Sequence, residues 1–360
     1  MTSIDPDFSN ALVFTGGGTG GHYFPAVALA QGARQRWASL PIVFVGAKRG
    51  LEAAKLPESG WSYLLLDVEG FLGRSPLQAL NSLRKLRRAV TALTTRWKTQ
   101  RPRMVIATGG YAAAPALFAA RFLGIPYFLH ESNAEPGWLI RLLAPRAQRV
   151  WCGMAVAKTR LPRARCEWVG TPVREAFLRE FVPTDSLKPP HRLLVLGGSG
   201  GARALNEALL ALAPELLERF PEWEILHQCG VRHFDELAPT PCHPRHRLVP
   251  FIESVDLELE ASSLVISRSG ASTCAELKAC GRPAILVPFP ASAGDHQRLN
   301  ARAMEADRQA VVVEQGIGFQ ARLLTGLAEL MGDSDRRLRL ARPEPNHALD
   351  RCLGDLASRI

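Results

Sequence analysis

At 360 residues the chain exceeds what one hydrophobic core usually serves, so two domains are expected. Hydrophobic residues at 47% and charged ones at 22% exclude a disordered or low-complexity chain. The seven cysteines are scattered, with no C-x-x-C pair, which excludes a disulfide framework and a zinc ribbon and fits a reducing cytoplasm.

The opening "MTSIDPDFSN" has neither a basic start nor an apolar core, so no signal peptide is expected. "ALVFTGGGTGGHYFPAVALA" then reads as strand, glycine loop and helix. Gly16, Gly18 and Gly21 satisfy G-x-G-x-x-G, the dinucleotide fingerprint. The next strand, "IVFVGAKRG", ends in Gly46, Ala47 and Lys48 without the acidic residue that would hold a ribose. NAD is therefore disfavoured, and Lys48 and Arg49 leave an opening for NADP. A phosphate-binding P-loop fails because His22 stands where lysine should follow Gly21. A tight turn that needs only backbone clearance is the plainer alternative.

Net charge is +10, and residues 74 to 103 hold nine basic side chains and no acidic one, which account for all but +1 of it. Leu77, Leu80, Leu83, Leu86, Val90, Leu93 and Trp97 recur every three or four residues there, an apolar stripe on one helix face beside Arg84, Lys85, Arg87 and Arg88. The segment is either a contact for an anionic membrane surface or a core-facing stripe with a solvated basic back. It lacks the interleaved aromatics of a nucleic-acid site, and none is expected.

"YAAAPALFAARFLGIPYFLH" (111–130) approaches membrane-spanning length but is broken by Pro115, Arg121, Gly124 and Pro126. It reads as a helix followed by a buried strand. His130 and Glu131 begin an H-E-x-x-H pattern that Ala134 breaks, so no zinc protease is implied. The strand end still presents Glu131 and Asn133. The D-x-D pairs Asp5/Asp7 and Asp333/Asp335 lie in polar segments away from strand ends and are not expected to hold a metal.

"RLLVLGGSGG" near residue 193 restarts the opening pattern, and "WEILHQCG", "LVISRSG" and "AILVPFP" continue it. Strand–loop–helix repetition implies parallel sheets covered by helices, hence an α/β chain with two Rossmann-like domains. The boundary is expected near "VGTPVREAF": residues 1–172 and 173–344, with a C-terminal helix at about 345–360 packing back on the first. Ligands of such sheets bind beyond the carboxyl ends of the strands, so the chemistry is expected in a cleft shared by the two domains. "GGSGGAR" (197–203) offers helix N-terminal amides and Ser199 to an anion. "SRSGASTCAEL" (267–277) offers amides, Ser272 and Thr273 for a diphosphate, with Glu276 a turn later for two ribose hydroxyls. The alternative is a Ser/Thr capping box with a solvated glutamate. "VPFPASAGDHQRLNA" (287–301) brings Asp295, His296, Gln297 and Asn300 after a strand, a pattern suited to sugar hydroxyls.

Taken together and in this order, "GGTGGH", "GGY", "HESN", "TPVR", "GGSGGAR", "RSGASTCAE" and "DHQRLNA" resemble the MurG family from about residue 11 to about 301. The resemblance implies a GT-B fold, two Rossmann-like domains with parallel sheets facing a central cleft. It implies inverting, metal-independent transfer of N-acetylglucosamine from UDP-N-acetylglucosamine to the C4 hydroxyl of undecaprenyl-diphosphate-muramyl-pentapeptide (lipid I). No cofactor and no metal are expected, and the enzyme would sit on the cytoplasmic face of the plasma membrane. Donor contacts are implied at Thr19, Gly20, Gly21, Asn133, Arg174 and Ser199. The Ile252 backbone would meet uracil, Ala271, Ser272, Thr273, Cys274, Ala275 and Glu276 would hold diphosphate and ribose, and Gln297 the sugar. His22, Tyr111 and Glu131 would line the acceptor side. "HESN" replaces the commoner "HEQN", "TPVR" replaces "NPVR", and Gly200 stands where glutamine is usual. His22 is expected to act as general base, kept neutral by the positive end of its helix, with Glu131 as the rival. Related GT-B activities (glycosylation of diacylglycerol, epimerisation of UDP-N-acetylglucosamine) and an NADP-dependent oxidoreductase are the competing readings.

Overall fold

The run Leu-Val-Phe-Thr forms β1 (Leu12–Thr15), buried at every position, as befits a strand covered on both faces. The computed structural model describes residues 5–70, 75–198, 200–240 and 242–360. After β1 come α1 (Gly20–Arg36), β2 (Ile42–Ala47), α2 (Leu51–Lys55), β3 (Ser62–Leu66), α3 (Pro76–Thr99), β4 (Met104–Ala107) and α4 (Ala114–Leu123). β5 (Tyr127–Glu131), α5 (Trp138–Leu143), β6 (Arg149–Cys152), α6 (Ala155–Thr159) and β7 (Cys166–Trp168) complete the first sheet. Its order is β3-β2-β1-β4-β5-β6-β7, parallel throughout.

The second sheet repeats the scheme. β8 (His191–Leu196), α7 (Arg203–Arg219), β9 (Trp223–Gln228), α8 (Val231–Leu237), β10 (His246–Val249), α9 (Val255–Glu260) and β11 (Leu264–Ser267) alternate. They are followed by α10 (Ala271–Cys280), β12 (Ala284–Leu286), α11 (His296–Ala306), β13 (Ala310–Val312), α12 (Phe319–Gly332) and α13 (Ser334–Leu340). The parallel order is β10-β9-β8-β11-β12-β13. In both sheets the strand order reverses beside the first strand, at β1/β4 and at β8/β11, which is where open parallel sheets leave room for a ligand.

The chain divides into two units, Met1–Arg174 with Asn346–Ile360, and Glu175–Pro345. The last helix, α14 (Ala348–Ala357), belongs to the first unit and packs on α1. Gly32 permits that approach, since a Cβ there would lie 2.8 Å from Leu349 Cδ1. Asp355 on α14 accepts from Trp151 Nε1 at 2.8 Å and pairs with Arg149 at 3.1 Å. The seven cysteines are free thiols. Among the described residues no helix is long and apolar enough to cross a membrane.

α3 begins with Pro76 after a Ser75–Gln78 capping box. Its stripe does not behave as one surface. Leu93 and Trp97 are buried in the core of the first unit, whereas Leu77 is 82% exposed and Leu80 and Leu83 are exposed with it. At 3.6 residues per turn the steps of three from Leu77 to Leu86 each fall about 60° short of a turn, so Leu77 faces about 160° away from Trp97, and the core is met by Leu86, Ala89, Leu93 and Trp97. α4 packs along α3 and exposes Phe122. Of the basic residues, Lys85 is paired with Asp67 and Glu69, Arg96 with Asp5, and Arg103 donates to the Ile360 carbonyl. Arg84, Arg87 and Arg88 are exposed, and Arg74 lies outside the described residues.

Candidate active site

Register brings the first unit's loops together: Thr15 pairs with Ala107, and Ala107 with Leu129, so the turns after β1, β4 and β5 open side by side. Thr19 caps the start of α1 without a side-chain hydrogen bond, and Gly20 and Gly21 form its first turn. His22 follows. Its Nδ1 lies 2.7 Å from the Thr108 carbonyl, while Thr108 Oγ1 donates to the His22 carbonyl at 2.6 Å. A carbonyl only accepts, so Nδ1 carries the proton and, in the neutral ring, Nε2 carries the lone pair. The ring rests on Gly109 and Gly110, where a Cβ would stand 3.0 Å from Nδ1 and 3.1 Å from Cδ2. Both glycines have positive φ, +97° and +77°, so side chains are barred twice over. Tyr111 follows them, packs on Gly18, and donates to the Arg49 carbonyl at 3.2 Å.

Glu131 ends β5 and is 2% exposed. Its Oε1 accepts from the Asn133 amide at 2.9 Å and Asn133 Nδ2 at 3.0 Å, and its Oε2 from the Gly137 amide at 2.8 Å. The carboxylate is thus engaged in shaping its own loop. His130 beside it is fully buried between the Gly170 carbonyl and Ser132, and burial pushes its pKa down to about 4. Arg174, at the end of this unit, stacks on Phe24 of α1 at 5.0 Å.

In the second unit the loops after β8, β11 and β12 are neighbours in the same way. Ser199 lies outside the described residues. α10 starts at Ala271 with Gly270 as its cap and no side-chain cap bond. Ser269, just before that cap, donates to the Gln297 carbonyl at 2.7 Å. Thr273, which with Glu276 three residues on would form the capping box, lies inside α10 rather than at its cap, so that alternative fails, and Glu276, at 8% exposure, is not a solvated glutamate. Ser272 Oγ is buried with no hydrogen-bond partner among the described residues. First-turn amides and this hydroxyl form an anion-receptive end. Cys274 is buried with its thiol pushed up to about 12, and its amide already donates to the Gly270 carbonyl at 2.9 Å, so neither group is open to an anion. Thr273 lies between Ala271 and Ala275, half-buried. Gln297 Oε1 accepts from the Phe289 amide at 2.9 Å, and Asn300, wholly buried, donates to the Ser269 carbonyl at 3.1 Å. Asn300 is thus a strut rather than a sugar contact. Ile252 lies in the loop after β10, three strands along from β11.

Two residues at these loops escaped the sequence. Thr108 holds His22 but lies 86 positions away. Arg268, just before Ser269, donates to the carbonyls of Val287 and Pro288 and to Gln315, and burial lowers its pKa to about 10. Its hydrogen bonds tie the end of β11 to the loops after β12 and β13, and its place inside "SRSG" was the available signal.

Residues 12–152 match the glycosyltransferase family 28 N-terminal domain and residues 192–348 the family 28 C-terminal domain. A Syntrophotalea carbinolica protein is 41% identical over 307 residues, covering 84% of this chain and 85% of its own. An Acidithiobacillus ferrooxidans protein is 36% identical over 357 residues, covering 98% and 96%. Both are named UDP-N-acetylglucosamine--N-acetylmuramyl-(pentapeptide) pyrophosphoryl-undecaprenol N-acetylglucosamine transferase. The crystal structure of Acinetobacter baumannii MurG superposes with a TM-score of 0.73 at 27% identity, over 97% of this chain and 100% of that one. With both domain models matched in order and relatives of this identity over most of its length, the chain belongs to the MurG family of N-acetylglucosaminyltransferases, within glycosyltransferase family 28.

Proposed function

We propose that this chain transfers N-acetylglucosamine from UDP-N-acetylglucosamine to the C4 hydroxyl of undecaprenyl-diphosphate-muramyl-pentapeptide, with inversion and without a metal, in peptidoglycan synthesis. The names of its relatives support the two substrates. The observation that carries the donor half is the α10 terminus: uncapped amides, a buried Ser272 hydroxyl and a buried Glu276 one turn further on.

In the reaction the C4 oxygen attacks the anomeric carbon from the face opposite UDP. The bond from that carbon to the β-phosphate oxygen breaks, and its electron pair leaves with UDP. Charge grows on the diphosphate as this happens, and the first-turn amides of α10 with the Ser272 hydroxyl stabilise it without reorganising. Ribose hydroxyls bond to Glu276, and Gln297 meets the sugar. His22 Nε2 takes the proton of the attacking hydroxyl, oriented by its Nδ1–H on the Thr108 carbonyl. Thr19, Gly20, Gly21, Asn133 and Arg174 complete the donor contacts, and Tyr111 lines the acceptor side with Glu131 holding its loop. Leu77, Leu80 and Leu83 with Arg84, Arg87 and Arg88 rest on the anionic cytoplasmic face of the plasma membrane.

The test is transfer of labelled N-acetylglucosamine from UDP onto a polyprenyl-diphosphate-muramyl acceptor, with and without EDTA, and the anomeric configuration of the product by NMR. A β-linked product formed equally in EDTA is expected. No transfer, a retained configuration, or loss of activity in EDTA would each defeat the corresponding part.

A further inference from the structure

Three glycines of the first unit lie against one side chain. Glu52, in the first turn of α2, is 1% exposed; its Oε2 accepts the Gly18 amide at 2.8 Å and its Oε1 the Ala47 amide at 3.3 Å. A Cβ on Gly46 would come within 2.9 Å of Glu52 Cγ and one on Gly50 within 2.9 Å of Oε2, while one on Gly17 would overlap the carboxylate. β2 ends without an acidic residue, yet an acid arrives there from α2 and turns inward. It takes the amide of Gly18, the middle glycine of the G-x-G-x-x-G pattern, in the stretch that a dinucleotide-binding turn would offer to pyrophosphate.

The peptide between Gly17 and Gly18 is held on both sides. Glu52 takes its N–H, and its carbonyl abuts Gly110, where a Cβ would collide with the Gly17 oxygen. Gly110 in turn lies under the His22 ring. We propose that Glu52 is a positioning residue: it moulds the glycine loop and, through the 17–18 peptide and Gly110, sets where the His22 imidazole rests. This rests on the reading of His22 as the base. Bonds from amides to an ionised acceptor are about twice as strong as neutral ones, which suits a residue that must hold a side-chain-free loop in one shape. Glutamine cannot replace it, because an amide group keeps one acceptor oxygen and turns N–H donors toward the other backbone N–H.

The experiment compares wild type, Glu52→Gln and Glu52→Asp by NMR of 13C-labelled histidine and by steady-state transfer kinetics. The His22 Cε1–H resonance should shift or split in Glu52→Gln, and kcat should fall about 10- to 100-fold, the cost of a misplacement near 1 Å, with the KM for UDP-N-acetylglucosamine little altered. A folded Glu52→Gln with an unmoved His22 resonance, or with a moved resonance and wild-type kcat, overturns the proposal. If Glu52→Gln does not fold, Glu52→Asp, which keeps the charge but sets it back by one methylene, must show the same pair of changes in smaller measure, and its failure to do so counts equally. Absence of transfer by the wild type would defeat the functional reading, while the resonance alone would still decide whether Glu52 positions His22.

Discussion

Acidification from pH 7.5 to 5 should cost the second unit about 4 kcal/mol of stability, because two histidines are buried in it as neutral rings. His227 on β9 and His246 on β10 stack with centroids 5.5 Å apart and planes 4° apart, and His227 Nδ1 lies 3.3 Å from His246 Nε2. On the other side, His227 Nε2 is 3.1 Å from Asn206 Oδ1, while Asn206 Nδ2 donates to the Cys229 carbonyl at 2.9 Å. Asn206 therefore presents its oxygen, His227 Nε2 carries a proton, and His246 Nε2–H donates to His227 Nδ1. With both rings neutral each ring N–H has an acceptor; one more proton on His227 sets two N–H groups against each other. Burial first, then the neighbouring ring, lowers His227 from 6.5 to about 3, and burial, then His243, lowers His246 to about 4. Both folded values are depressed, so the unfolded chain binds these protons first as pH falls. The stabilisation is present above about 6.5 and is lost as pH falls toward 4. At pH 5 each ring accounts for about RT ln(1 + 10^1.5), about 2 kcal/mol. Trp223, the single tryptophan of the second unit, reports the transition when fluorine-labelled and followed through urea at each pH. His246→Gln keeps a donor for His227 Nδ1 but removes one titrating ring, and should halve the loss. Equal stability at both pH values, or a His246→Gln variant as acid-sensitive as wild type, would refute the reasoning.

Glu276→Ala should raise the KM for UDP-N-acetylglucosamine about tenfold or more, the worth of a charge-assisted bond of about 1.5–3 kcal/mol, and unchanged donor affinity in a titration with UDP would remove Glu276 from the ribose. His22→Ala should lower kcat about 10²–10⁴-fold with little change in donor KM and abolish the acidic limb of the pH profile. Glu131→Gln should keep that limb and instead lose about 1–3 kcal/mol of stability, because its new N–H donors face the amides of Asn133 or Gly137; the reverse pattern, read from the two pH profiles, would make Glu131 the base. Replacing Leu80 and Leu83 together by aspartate should leave the melting temperature unchanged, since both are exposed, and abolish sedimentation with anionic vesicles; undiminished sedimentation would count against that face.

The fold was legible because its signals are local. Buried strands such as "LVFT" and "LVIS" are short apolar runs ended by glycine or serine, and alternation with helical stretches leaves few arrangements besides parallel sheets. The loops could be found on the same grounds. Where local pattern competes with tertiary context, it misleads. Leu77 and Trp97 read as one apolar stripe, but the successive steps of three residues from Leu77 to Leu86 turn Leu77 about 160° away from Trp97, so one is solvated and the other is in the core. Thr273 and Glu276 have the spacing of a capping box, yet Gly270 is the cap, Thr273 lies inside α10 and Glu276 is buried.

What could not be read was who holds the loops. The strut for His22 is a main-chain carbonyl 86 residues on, which leaves no trace in residue type, and the strut for Gly18 is a glutamate 34 residues on that resembles any helical surface acid. The glycines are the visible half of these partnerships. Gly17, Gly46 and Gly50 look like three unrelated flexible positions until Glu52 is placed among them, and Gly109 and Gly110 look like a turn until the imidazole is laid over them. In each case the missing side chain is the imprint of another group, so a glycine-rich strand end marks where a charged or titratable side chain is being held rather than where the backbone is loose. A glycine run therefore locates the site, and the group that shaped it must be sought far away in the sequence.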